Sequence, residues 1–225
     1  SMVLLLDNLR KLPSLKKYIH FTTPEVYGST DGWIKETSVF SPSTPYATSR
    51  ACFDQHLMTY FKAYNFPVIF TRASNVFGPG QQLYRIVPRA IMAAITGNKF
   101  QLHGGGISVR NFIDIRDVSS GLELLCRSGK LGHTYHISGN ELVSIRSLVE
   151  KIASNNGVHF NDICDVGEER LGKDDAYSLS SSSIRDTLGW AEAFENDLTL
   201  SSTYDWMTDN MNDLKSLSLN YEHRS

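Results

Sequence analysis

The chain has 225 residues, 41% of them apolar and 20% charged, which suffices for one sizeable core or a core plus a small lobe. Its formal net charge of −2 leaves no electrostatic footprint for nucleic acid. No apolar run nears the ~20 residues that a membrane-spanning helix requires, so no membrane partner is expected.

Val3 to Leu12 has helical spacing, with Leu4, Leu5, Leu9 and Leu12 on one face and Pro13 as its stop. Tyr18 to Thr22 reads as a short strand. Residues 28 to 44 form a loop rich in Ser, Thr, Pro and Gly. A long helix is expected from Pro45 to Tyr64, where Phe53, Leu57, Phe61 and Tyr64 recur on the face that also carries Tyr46 and Arg50. Pro67 to Thr71 is apolar without alternation, the pattern of a strand buried on both faces. Helix, strand, helix, strand at this spacing predicts an α/β fold with parallel strands.

The second half is more mixed. Ile86 to Thr96 reads as a helix closed by Gly97, and Phe100 to Leu102 as a brief strand before the turn Gly104-Gly105-Gly106. Asn111 to Ile115 is extended, and Asp117 is placed to cap a helix carrying Val118, Leu122 and Leu125. A strand at Thr134 to Ser138 precedes a helix capped by Ser144, with Ile145, Leu148, Val149 and Ile152 on one side. Ser180 to Ser183 caps a short helix ending near Gly189-Trp190, Leu198 to Met211 forms the last helix, and the polar tail after Leu214 frays. The cysteines Cys52, Cys126 and Cys164 are odd in number and far apart. They fit neither a zinc site nor a disulfide framework and point to a reducing cytoplasm. His20, His103, His133 and His136 show no metal-ligand grouping, so they read as structural or surface residues and no metal is expected.

Tyr46 and Arg50 stand one helical turn apart. A phenol can act as a base when a fixed cation stabilises its anion. The same spacing also describes an ordinary helix-surface tyrosine beside an arginine. Its setting adds weight: a strand ending in Thr22-Thr23, then Glu25, then the loop, then this helix. A hydroxyl, a carboxylate, a phenol and a cation are the parts needed to oxidise a sugar alcohol and withdraw the neighbouring proton.

In this order, Thr23-Pro24-Glu25-Val26-Tyr27-Gly28, Pro45-Tyr46-Ala47-Thr48-Ser49-Arg50 and Arg72-Ala73-Ser74-Asn75-Val76-Phe77-Gly78-Pro79-Gly80 resemble a known family. It is that of the extended short-chain dehydrogenase/reductases acting on nucleotide sugars, the NAD-dependent epimerases and dehydratases, above all the dTDP-glucose 4,6-dehydratases. Arg110-Asn111-Phe112-Ile113-Asp114-Ile115 with Asp117, Thr134-Tyr135-His136-Ile137-Ser138-Gly139 and Leu188-Gly189-Trp190 also fall in family order. The resemblance implies a partial Rossmann-like parallel sheet with a small mixed α/β substrate-binding lobe. Residues 1–80 would be the Rossmann-like remnant carrying the catalytic motif. Residues 81–225 would hold the lobe and the returning Rossmann elements.

By resemblance, Tyr46 takes the proton of the sugar 4-hydroxyl while NAD accepts hydride, and Thr23 hydrogen-bonds that hydroxyl. Glu25 removes the C5 proton before water leaves from C6; a solvated loop carboxylate is the plainer alternative. Tyr46 and Arg50 would also contact the cofactor. Asn75 and Arg110 would bind the substrate diphosphate, for which the planar guanidinium offers two donors, although Arg110 also suits a surface ion pair. Arg170 would be a second diphosphate ligand. Gly78-Pro79-Gly80 reads as a turn rather than a phosphate cradle.

Four departures qualify that implication. Arg50 stands where the family has lysine, and the exchange is not conservative. Pro24 stands where the dehydratases have an acid that protonates the leaving hydroxyl; the family's epimerases and decarboxylases work without it. Asp174-Asp175 stand where a basic residue is usual. No glycine-rich turn follows an N-terminal strand to hold a dinucleotide pyrophosphate. The chain is therefore expected to lack the family's cofactor-binding portion, to bind NAD poorly alone and to be inactive alone. By resemblance it is a homodimer through Val3–Leu12 and Pro45–Tyr64, acting on a nucleotide sugar by dehydration, or by UDP-sugar 4-epimerisation or decarboxylation. A non-catalytic binding or scaffold protein is the reading from another class.

Overall fold

Leu6 is fully buried while its neighbours Leu4 and Leu5 are exposed, so helix α1 (Met2–Leu9) touches the protein along a narrow stripe. The structure is a computed structural model and describes residues 2–168 and 178–219. Helix α1 stops three residues before the expected Leu12. Lys11 N bonds to Asn8 O and Leu12 N to Leu9 O, the tightened bonds of an unwinding helix end.

Strand β1 (Tyr18–Thr22) leads through Thr23 into a 3-10 turn (Pro24–Tyr27). After β2 (Trp33–Ile34) comes α2 (Pro45–Tyr64). Thr44 caps α2 by accepting a hydrogen bond from Ala47 N at 3.1 Å, and Pro45 begins it, where its missing N–H costs nothing. The buried face of α2 is Ala47, Ala51, Asp54, Leu57 and Tyr60. This corrects the expected face: Phe53 and Phe61 are half-buried, while Tyr46, Arg50 and Tyr64 are exposed. The reason is that a carboxylate, Asp54, occupies a core position, which apolar periodicity does not register.

Strands β3 (Val68–Ala73) and β4 (Asn75–Phe77) are separated at Ser74. Then follow α3 (Ile86–Thr96), β5 (Phe100–His103), β6 (Val109–Asp114) and α4 (Ile115–Ser128). The cap of α4 is Asp114 rather than the expected Asp117: its Oδ1 accepts from Arg116 N at 2.6 Å. Asp117 is buried and accepts instead from Ala193 N and Phe194 N, holding a segment 76 residues away. The chain continues with β7 (Thr134–Ile137), β8 (Leu142–Ser144), α5 (Ile145–Asn155), α6 (Phe160–Ile163) and β9 (Cys164–Gly167). The last elements are β10 (Ser178–Leu179), α7 (Ser182–Leu188), α8 (Asn196–Asp209) and α9 (Met211–Leu214). The single last helix expected from Leu198 to Met211 is thus two, divided at Asn210, whose side chain bonds back to Trp206 O.

The parallel sheet has the order β1-β3-β7, with Thr22 beside Arg72 and Arg72 beside His136. One face carries Ile69, Ala73, Tyr135 and Ile137 against Val118 and Leu125 of α4 and Ile184 of α7. The other carries Val68 and Phe70 against Leu6 of α1 and Leu57 and Tyr60 of α2. Helices on both faces explain why β3 is buried along its whole length, as the apolar stretch Val68–Phe70 requires. At Ser74 the chain leaves this sheet, and β4 pairs in parallel with β6, which pairs antiparallel with β8. A separate core joins α3, α5 and α8 through Ile91, Val149, Ile152, Leu200 and Met207. The architecture is α/β with a Rossmann-like parallel sheet. Among the described residues no helix is long and apolar enough to cross a membrane.

Candidate active site

The carboxyl end of β1 delivers Thr23 and Glu25 into a single turn. Thr23 Oγ1 accepts from Glu25 N at 3.3 Å and donates to Glu25 Oε1 at 3.4 Å. Pro24, the first residue of the turn, is buried, and Glu25 is half-buried. Gly28 closes the turn at φ +69°; a Cβ there would lie 2.2 Å from Ser41 O. Only glycine tolerates both the conformation and the approach of that carbonyl.

This turn packs on α2 through Val26 and Tyr27, which cluster with Ala51. The small side chain of Ala51 allows the close approach. Tyr46 and Arg50 project from the first turns of α2, with the Arg50 guanidinium 5.1 Å from the centre of the Tyr46 ring. Both are exposed, and Tyr46 keeps half its surface open. Thr23 and Glu25 thus share one turn, and Tyr46 and Arg50 share the helix on which that turn rests.

The expected diphosphate ligands lie on a second ladder. Asn75 of β4 donates to Asn111 O at 3.2 Å, and Arg110, next to Asn111 on β6, is buried and donates to Val109 O at 2.8 Å. Asn111 in turn accepts from Ser138 Oγ at 2.9 Å and donates to Gly139 O, tying β6 to the end of β7. Arg170 and the pair Asp174-Asp175 lie outside the described residues.

Sequence reasoning missed a buried polar string across the sheet. His20 Nε2 donates to Asp54 Oδ1 at 2.9 Å; Asp54 also takes the Arg72 guanidinium through Oδ2. Arg72 Nη1 donates to the Tyr27 hydroxyl at 2.9 Å, and Tyr27 donates to His136 Nε2 at 2.9 Å. Glu36 accepts from His136 N at 2.9 Å, and burial raises its carboxyl above the usual range. Burial, with Arg72 close by, pushes His136 down to about 3, so its ring is neutral. The signal available beforehand was one histidine or arginine in each of three otherwise uncharged strands: His20, Arg72 and His136. Among the described residues no three His, Cys, Asp or Glu side chains group as metal ligands.

Known proteins share this arrangement of segments. The family model described as NAD dependent epimerase/dehydratase family matches residues 1–138. The dTDP-glucose 4,6-dehydratase of Neisseria gonorrhoeae is 31% identical over 220 residues, covering 89% of this chain and 63% of that protein. A trifunctional UDP-glucose 4,6-dehydratase/UDP-4-keto-6-deoxy-D-glucose 3,5-epimerase/UDP-4-keto-L-rhamnose-reductase of Arabidopsis thaliana is 30% identical over 210 residues, covering 92% of this chain and 32% of that protein. A crystal structure of the dTDP-glucose 4,6-dehydratase of Streptomyces venezuelae, with NAD bound, superposes with a TM-score of 0.88 at 29% identity, covering 92% of this chain and 64% of that one. The chain therefore spans less than two thirds of each of these relatives. With the family model covering more than half of its length, the chain belongs to the NAD dependent epimerase/dehydratase family.

Proposed function

We propose that this chain is the substrate-side portion of a nucleotide-sugar-modifying enzyme whose intact form carries out 4,6-dehydration of a nucleoside-diphosphate hexose through a 4-keto intermediate. The observation that carries the reading is the packing of the Thr23–Glu25 turn onto the helix bearing Tyr46 and Arg50, through Val26, Tyr27 and Ala51. The phenol of Tyr46 is open to a ligand, and a cation stacks on its ring. In the proposed division, residues 1–80 bring the proton-transfer groups and residues 81–225 the sugar-nucleotide contacts.

The family's cofactor fits only one end of this chain. Tyr46 and Arg50 suit the nicotinamide ribose. The carboxyl ends of β1, β3 and β7 run into Thr23-Pro24, Ser74-Asn75 and Ser138-Gly139, none of which is a glycine-rich turn opening a helix that could hold a pyrophosphate. NAD, when bound to the intact form, supplies the hydride acceptor. The chain's own groups handle protons: Tyr46 removes that of the 4-hydroxyl, Thr23 orients that hydroxyl, and Glu25 removes the C5 proton once the 4-keto group makes it acidic. Asn75 and Arg110 hold the diphosphate.

Two observations favour other readings. Pro24 is buried at the head of the turn and has no proton to give a leaving hydroxyl, which favours 4-epimerisation or decarboxylation of a UDP-sugar. Arg50, standing where the family has lysine, favours a binding protein without turnover. The exposed Val3, Leu4 and Leu5 of α1 and Tyr64 of α2 support a homodimer through these helices. The unpaired thiols of Cys52, Cys126 and Cys164 support a cytoplasmic location.

Thermal unfolding with dTDP-glucose or UDP-glucose tests the site, because a ligand that binds only the folded state raises the midpoint. A saturable rise with one of the two nucleotides is expected. No rise with either removes the substrate-side assignment.

A further inference from the structure

We infer that Arg72 is a positioning residue, clamping the turn that carries Thr23 and Glu25 to the helix that carries Tyr46 and Arg50. The inference rests on the proposed function for the importance of those four groups, but the clamp itself rests on geometry. Arg72 lies on the central strand of the parallel sheet and is 1% exposed. A buried guanidinium is costly unless its charge and donors are met. Here one arm donates to the Tyr27 hydroxyl at 2.9 Å and the other pairs with the Asp54 carboxylate, so the charge and both arms are met while the buried Nε has no hydrogen-bond partner among the described residues. Its plane also stacks near Tyr27 and Phe40, 5.0 and 5.1 Å from their ring centres.

Each arm reaches a different part of the candidate site. Tyr27 ends the turn, two residues after Glu25. Asp54 lies one helical turn beyond Arg50 on the buried side of α2. Asp54 also accepts from His20 on β1, the strand that runs directly into Thr23. The contacts close a ring: β1 to Thr23, the turn to Tyr27, Tyr27 to Arg72, Arg72 to Asp54, and Asp54 back to β1 through His20. An apolar side chain could fill the space but could not hold two elements by directed bonds. A planar fork meets two partners at fixed angles, whereas an ammonium is a single point charge.

The test is amide hydrogen exchange on the chain as it stands, comparing the parent with Arg72→Lys, Tyr27→Phe and a control, Ile152→Ala, which loosens the other core. The reporters are the Gly28 amide, bonded to Glu25 O, and the Ser41 amide, bonded to Val26 O, against the amides of residues 52–58 in α2. Lysine at 72 should follow the carboxylate of Asp54 and release Tyr27. Arg72→Lys and Tyr27→Phe should therefore each speed exchange at the turn at least tenfold relative to α2, while the control leaves that ratio unchanged. A ratio in both variants equal to that of the control overturns the clamp. If Arg72→Lys does not fold, Tyr27→Phe is read against His136→Gln, which disturbs the Tyr27–His136 bond but keeps the one from Arg72: a turn loosened at least tenfold more in Tyr27→Phe supports the clamp, and equal loosening overturns it. Exchange does not depend on turnover or on ligand, so a failed nucleotide-sugar titration would remove the functional reading without touching this result.

Discussion

The Tyr27 hydroxyl stands 2.9 Å from His136 Nε2, and the direction of that hydrogen bond is set by its neighbours. The Tyr27 oxygen already accepts a hydrogen bond from Arg72 Nη1, so its own hydrogen points to the imidazole. On the far side, His136 Nδ1 lies 3.2 Å from Ser180 O, a carbonyl that can only accept. The histidine is thus the neutral Nδ1–H tautomer.

Acid should therefore destabilise the fold through His136. Its folded value, about 3, lies below the ordinary 6.5 because burial disfavours the charged ring. The stabilisation is fully present above about pH 6.5 and is lost as pH falls towards 3, at ~1.4 kcal/mol per unit of difference. Glu36, raised by burial, works in the opposite sense: its folded state takes up a proton first and offsets part of the loss. Urea unfolding at a series of pH values should show stability falling through this window, and His136→Gln should flatten the slope. An unchanged slope in the variant rejects the assignment.

Gly28→Ala should cost about 2–4 kcal/mol, from a left-handed backbone and from overpacking. The added Cβ would meet a backbone oxygen that cannot move aside cheaply. Gly32→Ala is the comparison: its φ is +72°, yet nothing lies within 4 Å of the new atom, so only the backbone strain of about 1 kcal/mol remains. Equal losses in the two variants, measured by denaturant titration, would show that Ser41 gives way.

Tyr46→Phe, made in an intact form of the enzyme, should lower turnover by at least a hundredfold and leave nucleotide-sugar affinity unchanged. Steady-state rates and a binding titration separate the two effects. Turnover within tenfold of the parent would remove Tyr46 as the base.

Arg50→Lys in the same intact form should raise turnover, because a compact ammonium replaces a bulky plane that stacks on the Tyr46 ring. A fall in turnover would mean that the guanidinium has acquired its own role.

Much of the scaffold was legible in the residues. Pro45 announced the start of α2, Gly97 the end of α3, and the short runs at Tyr18 and Val68 the first two strands of the parallel sheet. The errors arose where an acidic residue had two possible duties. Asp114 and Asp117 are both sound caps by composition; the structure gives the cap to Asp114 and spends Asp117 on two backbone amides near Phe194. On α2, apolar spacing found Leu57 but also selected the half-buried Phe53 and Phe61, because Asp54 is buried as a charge rather than as a hydrophobe.

The sequence alone determined the α/β order, the parallel strands and the family, since these follow from periodicity, caps and ordered short motifs. Only the tertiary structure decided that Tyr46 faces outward and that Arg72 joins turn to helix. Local pattern reports whether a side chain prefers to leave water. A buried charge depends instead on partners brought from elsewhere: Tyr27 and Arg72 are 45 residues apart, and Tyr27 and His136 are 109 apart.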